Sequence, residues 1–439
     1  MDTTFERPAP ATAALQIAGA AVRGLGYALF FAMLFVPSTY RSLKGALLGV
    51  TLAGIVGAAL ITGRVLIDRR VVLTTLGFAA VGVFFVLRGD LLGAPGALQM
   101  FNVYVTWPLV YTMLAAGAAS PGVLSGLMRV LVWASLAVSV YSIVYVLWAA
   151  GYWPDLLYYP FDQGQAIGFH GAYVEFGLYS TSTLLFTMPF LVGALFVFPK
   201  TGAPISRPTL WLSLALNLIT VLLSGRRALL VLVPLAPALA LYYRSWLTPQ
   251  RKRDSRRLIT RALVGAVVLA VVLGAAITAV GGIAPSGFGE MVSTGFQFNS
   301  DPVAMSRRDQ FAALIDGWTD HPLLGSGHGM PARGVIRSVE TPWSYELSYV
   351  ALLFHTGLLG TAAYAAGVAW MGGMAYLIAR RGWPQAPNMV ATLVGTSSFL
   401  VANATNPYLE KYDYLWVIFL PIAFVNCYLV EQVRPAHDR

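Results

Sequence analysis

Residues 301–360 read DPVAMSRRDQFAALIDGWTDHPLLGSGHGMPARGVIRSVETPWSYELSYVALLFHTGLLG. The first part carries Arg, Asp, His and Glu among glycines and prolines; from Glu346 onward it runs into a long apolar segment. Nearly all the rest of the chain is apolar in runs of about 20 residues, each long enough to cross a hydrocarbon layer roughly 30 Å thick. Lipid offers no partner to free backbone N–H and C=O groups, so such runs must be helical. The short alternating segments of a β-barrel are absent. The sequence therefore predicts an all-α polytopic membrane protein, with its large polar loop as the place where a polar substrate is met.

Composition agrees. Of 439 residues, 57% are hydrophobic and 11% charged, against about 25% charged in soluble domains. The formal charge of +10 does not call for nucleic acid, because Lys and Arg gather in cytoplasmic loops and against anionic headgroups. One cysteine, Cys427, provides neither a disulfide framework nor a thiolate metal site.

The apolar runs predict about twelve spans, at 15–37, 45–62, 71–87, 99–118, 124–150, 174–198, 208–224, 227–243, 260–281, 346–379, 388–406 and 412–432. A polar tail (1–14) without a signal-peptide pattern precedes nine spans in 15–281. A loop with short helices (282–345) leads to three further spans in 346–432 and a short tail (433–439). The connections 62–70, 199–208, 244–257 and 380–388 are rich in Lys and Arg, whereas 153–175, 282–345 and 403–413 are acidic, aromatic and rich in Gly and Pro. The positive-inside rule then puts both termini in the cytoplasm and the large loop outside.

Several side chains stand out against this frame. SGRRALL (224–230) sets Arg226 and Arg227 at the outer ends of two consecutive spans. Such arginines either snorkel to headgroups or hold an anion through forked hydrogen bonds at a helix start. Arg307 and Arg308 open a segment whose Phe311, Leu314 and Ile315 fall at helical spacing. Two arginine pairs on one side of the membrane point to a phosphate-bearing ligand. Glu346, at the start of an apolar run, can interact with the helix dipole, pair with an arginine or act as a general base. His355 lies about half a turn round the helix from it, which argues against a Glu–His dyad and for a packed histidine. His170 and Glu175 stand in GFHGAYVEFG, near Trp153, Tyr158, Tyr159, Phe161, Phe169 and Tyr173. Those rings form either an interfacial belt or a platform for sugar. His321 and His328 flank PLLGSG without further ligands at metal spacing, and GSGHG (325–329) follows no predicted strand, so it fails as a nucleotide loop.

The succession of SGRRALL, SRRDQFAALIDGWTDHPLLGSGHG and SYELSYVALLFHTGLLG resembles the O-antigen ligase and polymerase family of bacterial envelope glycosyltransferases, over about 165–365 and in span count. The resemblance implies a GT-C-like helical fold in the bacterial inner membrane, with its site facing the periplasm. It also implies an undecaprenyl-diphosphate-linked oligosaccharide donor and inverting transfer without a metal or other cofactor. Arg226 or Arg227 matches the family's span-start arginine, and Arg307 or Arg308 the one opening the loop segment, all four being candidates for holding the diphosphate. Glu346 becomes the candidate base; His170, Glu175, His328 and Tyr345 complete the candidate substrate-binding set. Two departures stand: ligases carry a His-Asn pair where this chain has Glu346-Leu347, and His170 replaces a family arginine. They favour a polymerase in O-antigen or exopolysaccharide assembly over a ligase acting on a lipid A core. A transporter or flippase of lipid-linked sugar is the alternative of another class, and membrane lipid with a chain-length regulator or other assembly proteins are the expected partners.

Overall fold

The computed structural model describes residues 10–170, 173–199, 203–247, 302–336 and 338–433. Within these, α1 (Pro10–Phe35), α2 (Arg41–Thr62) and α3 (Arg69–Leu91) are followed by α4 (Ala97–Phe101), a π-helical turn (Asn102–Thr106) and α5 (Trp107–Gly117). Next come α6 (Pro121–Ala149), α7 (Leu184–Val197), α8 (Arg207–Leu223) and α9 (Arg227–Arg244). The second part holds α10 (Pro302–Asp320), α11 (Ser348–Arg380), α12 (Ala386–Asn403) and α13 (Trp416–Val433).

The protein is an all-α membrane protein. Among the described residues, six helices are long and apolar enough to cross a membrane: Arg41–Thr62, Arg69–Leu91, Pro121–Ala149, Tyr179–Val197, Ser348–Arg380 and Trp416–Val433; Gly19–Phe35, Arg207–Leu223 and Ala228–Arg244 are shorter apolar helices. Each expected span within the described residues overlaps a helix, though not over its whole length in every case. The expected span at 260–281, the first part of the expected loop (282–301) and most of both tails lie outside the described residues.

Three local expectations are corrected. The run at 174–198 does not begin as a helix: Tyr173–Gly177 is strand β2, paired antiparallel with β1 (Ala166–His170), and a 3-10 turn leads into α7. Val174 and Phe176 alternate with polar Tyr173 and Glu175, a two-residue period that favours a strand over a helix. On α10 the stripe turned inward is Arg307, Gln310, Leu314 and Gly317, while Phe311 is exposed. The third concerns 346–379, which is not one continuous helix.

The bundle core is formed where α7 packs between α9 and α12; α7 and α12 are buried along almost their whole lengths. Between α6, α7 and α8 the contact is polar. Asn217 on α8 accepts from Ser135 (3.0 Å) and Thr187 (3.2 Å) and donates to Ser139 (3.1 Å), satisfying an amide that would otherwise be costly in an apolar interior.

The break in α11 lies at Gly357, where φ is +60° and ψ is −168°. It sits nine residues past Ser348, about 13 Å along the axis at 1.5 Å per residue. A break at that depth strands backbone groups that water cannot reach. The polar loop supplies their partners. Leu358 and Leu359 donate to the carbonyls of Pro322 (3.0 Å) and Leu323 (3.1 Å), and the carbonyls of Phe354 and His355 accept from Ser326 (2.9 Å) and Gly327 (2.8 Å). The loop continues onto α3: His328 N–H donates to Phe85 O (2.9 Å) and Arg88 Nε to Gly325 O (2.9 Å). Part of the expected outer loop is therefore an inserted segment, clamped between α3 and α11.

The close approach depends on glycine. A Cβ at Gly357 would stand 2.4 Å from the Leu323 carbonyl, in a left-handed conformation. Gly357→Ala is expected to lower stability by about 2–4 kcal/mol, the combined size of left-handed strain and overpacking. Gly372→Ala, on the same helix where a Cβ meets nothing within 4 Å, should be neutral or slightly stabilising. Thermal unfolding in detergent compares the two.

Candidate functional site

The connections after α1, α3, α6, α8 and α12 and the whole 302–347 segment gather at one end of the bundle. Direct contacts join them: Ser38 N–H donates to Asp413 (2.9 Å), Gly96 N–H to Gly329 O (3.2 Å), and Ser344 Oγ to Glu410 Oε2 (2.9 Å).

Arg307 on α10 and Glu346 meet here, with Arg307 Nε donating to Glu346 Oε2 at 2.6 Å. Neither is sealed away: their side chains are 32% and 18% exposed. Gln310, one turn beyond Arg307, accepts from the Glu346 backbone N–H at 2.9 Å, so α10 holds this glutamate at both side chain and main chain. Of the roles open to Glu346 from sequence, pairing with an arginine is realised. Arg308 is exposed on the other side of α10.

Arg226 comes from a distant part of the chain. The turn between α8 and α9 passes through Gly225 at φ +63°, and Arg226 precedes the first turn of α9. Its guanidinium donates to the Leu178 carbonyl (3.3 Å) and acts electrostatically on the hydroxyl of Tyr408. Arg307 and Glu346 also act electrostatically on that hydroxyl. Arg226, Arg307 and Glu346 thus all lie within electrostatic reach of Tyr408. Burial raises its phenol, and the Arg226 guanidinium partly offsets that rise. Its ring is wedged against Phe399 and Tyr414 (centroids 5.5 Å in both cases).

Tyr408 and Glu410 belong to a 3-10 turn in the α12–α13 connection that sequence reading noted only as an acidic loop. A usable signal was present: PYLEKYD packs two acids, a lysine and two tyrosines between two apolar runs. Lys44 was another, since a lysine at the start of a span needs a partner. It finds one in Asp413 (2.5 Å), where both side chains are nearly inaccessible and anchor the connection to the α1–α2 turn.

The remaining sequence candidates divide. The side chains of Arg227, His170 and Glu175 lie outside the described part of the structure; the backbone puts Arg227 at the start of α9 and the other two on the β1–β2 hairpin. Tyr345 is fully buried beside Leu314 and Phe354, its oxygen accepting from Ala332 N–H (2.5 Å), and burial raises its phenol. His328 is also fully buried, stacked on Tyr104 at 3.9 Å with Nε2 bonded to Tyr364 Oη (3.0 Å). Both act as supports rather than as groups open to a sugar. His355 is packed as expected, bonded to Met330 O (2.9 Å). Of the aromatic rings before the hairpin, Tyr158 is buried beneath Trp148 (4.3 Å), Trp153 and Phe161 are half-buried and Tyr159 is exposed. Among the described residues, no three His, Cys, Asp or Glu side chains gather as a metal would require.

Beneath the 407–410 turn lies an apolar cavity of about 340 Å³. Val71, Phe78, Leu352, Val368 and Phe419 are among its lining residues, as are Pro407 and Leu409 on either side of Tyr408 and Ser348 two residues after Glu346. Tyr104 and Tyr364, the two rings His328 supports, form part of its wall. A cluster of cations with a carboxylate, set over an apolar chamber, suits an amphiphile with an anionic head. No family model matches the chain, and no curated protein matches it in sequence.

The His328 support carries a pH signature. Burial holds its imidazole well below the usual value of 6.5, with His355 adding to the effect, so the folded state keeps it neutral. The unfolded chain binds the proton more readily, so this contribution is complete above about pH 6.5 and is lost as pH falls below it. The melting temperature should decline from pH 7 to pH 5, and His328→Phe should lessen that decline; melts across this range measure both.

Proposed function

We propose that the protein is a membrane glycosyltransferase that transfers or polymerises oligosaccharide from an undecaprenyl-diphosphate-linked donor, in O-antigen or exopolysaccharide assembly. The observation that carries this reading is that Arg226, Arg307 and Glu346 all lie within electrostatic reach of Tyr408, above an apolar cavity. Two guanidiniums from separate helices offer forked donors to a diphosphate. The cavity offers an apolar wall to the isoprenoid chain. The resemblance described above supplies the same donor and the same arginines. The topology that goes with this reading is GT-C-like, with about twelve crossings of the bacterial inner membrane, cytoplasmic termini and the arginine cluster facing the periplasm.

In the proposed reaction the acceptor hydroxyl oxygen attacks the anomeric carbon as the bond from that carbon to the diphosphate oxygen breaks. The electron pair leaves with the diphosphate, where Arg226 and Arg307 stabilise the growing charge. The hydroxyl proton passes to Glu346, which binding of the diphosphate frees by competing for Arg307. Because attack and departure occur on opposite faces, configuration inverts.

Purified protein in nanodiscs, given the host's undecaprenyl-diphosphate oligosaccharide, should yield a product ladder and released undecaprenyl diphosphate. Glu346→Gln, Arg226→Ala and Arg307→Ala should each lower turnover by about 10²-fold or more, the scale of losing one preorganised charge-stabilising group. Arg308→Ala should retain most activity. A single transfer that requires an added lipid acceptor would make the protein a ligase. Donor binding with no release under any acceptor would overturn the enzyme reading in favour of transport.

A further inference from the structure

A second cavity, of about 130 Å³, lies among α1, α2, α5, α6 and α13. Leu29, Phe30, Ile55 and Leu127 line it, with Arg23, Tyr27, Thr51 and Tyr111 among its polar side chains. The Tyr27 hydroxyl reaches α6, bonding the Val123 carbonyl (3.4 Å) and lying against Gly126. Arg129 stands one turn beyond Gly126 on α6 and Arg23 one turn before Tyr27 on α1, and both guanidiniums act electrostatically on that hydroxyl. Arg129 Nε also donates to the Pro204 carbonyl (3.2 Å), which ties this site to the α7–α8 connection at the end of the bundle opposite the Tyr408 cluster.

Two like charges converging on one hydroxyl repel each other unless an anion lies between them. Among the described residues, neither Arg23 nor Arg129 pairs with a carboxylate, and both are exposed. Their surroundings are lipid-like: α2, which borders the cavity, leaves most of its apolar side chains uncovered, with Val50, Val56 and Leu60 exposed. An arginine at the edge of such a surface is stable where it reaches a phosphate at headgroup level.

We propose that Arg23, Tyr27 and Arg129 form a binding site for the phosphate of an anionic phospholipid, one acyl chain of which occupies the adjoining cavity. The arginines take the phosphate oxygens, Tyr27, whose hydroxyl donates to the Val123 carbonyl (3.4 Å), spaces them, and the small surface of Gly26 and Gly117 admits the chain. A zwitterionic lipid is disfavoured because its ammonium would face two guanidiniums. The site is separate from the Tyr408 cluster and holds whatever reaction occurs there.

Delipidated full-length protein in detergent, titrated with phosphatidylglycerol or phosphatidylcholine and read by native mass spectrometry, tests this. One phosphatidylglycerol adduct should persist at a concentration about tenfold or more below that needed for phosphatidylcholine, the preference expected of two basic groups facing an anionic headgroup. Arg23→Gln and Arg129→Gln, each at an exposed side chain, should each weaken the adduct, and the double variant should remove the preference. Equal binding of the two lipids would overturn the proposal, as would an adduct unaffected in the variants. Displacement of the lipid by millimolar inorganic phosphate would overturn the role given to the cavity.

Discussion

A membrane-spanning helix interrupted part-way along must find partners for the backbone groups it releases, and in this protein a single segment provides them. Residues 322–327 bond to both sides of the break at Gly357, accepting from the amides beyond it and donating to the carbonyls before it. The candidate site depends on this arrangement. Arg307 lies on α10, which leads directly into the inserted segment; Glu346 immediately precedes the half-helix that the segment bonds to. The 2.6 Å contact between them is thus fixed by backbone hydrogen bonding deeper in the molecule. The same segment reaches α3 through His328 and Arg88, placing the cavity wall and the charged cluster in one framework.

The other half of the cluster rests on a buried ion pair. Lys44 and Asp413 hold the α12–α13 connection against the α1–α2 turn, and that connection presents Tyr408 to Arg226. Removing one partner of such a pair typically costs about 3–5 kcal/mol, because the other is left charged and buried. Tyr414 reinforces the link, its hydroxyl meeting Ser182 just before α7 while its ring packs against Tyr408. Side chains from widely separated parts of the sequence are thereby brought together by rigid supports.

Much of the architecture was legible because hydrophobic length is a strong signal: within the described residues, the apolar runs and the tight SGRRALL turn correspond to helices and the connection between them. Arg226, Arg307 and Glu346 were legible for a related reason, since charge beside an apolar run needs an explanation. What escaped was long-range pairing. The sequence offers no indication that PLLGSG will bond to FHTGLLG, because backbone hydrogen bonds leave little trace in side-chain pattern; only the glycines hinted at close approach. Tyr408 escaped because a tyrosine in a loop between spans reads first as an interfacial anchor. His328 and Tyr345, polar by type and placed in a loop, gave no sign of their complete burial. The β1–β2 hairpin straddled the boundary between the expected 153–175 loop and an apolar run whose length suited a helix.

The clamp at Gly357 also determines how this region can open. In an uninterrupted helix the amides of Leu358 and Leu359 would exchange with solvent deuterium through fraying or local kinking. Here their acceptors belong to Pro322 and Leu323, so those amides are released only when the inserted segment withdraws. Withdrawal also exposes the amides of Ser326 and Gly327. Four amides from two distant stretches therefore form one cooperative unit. A single proteolytic nick within 322–327 would loosen the half-helix behind Glu346 without cutting it.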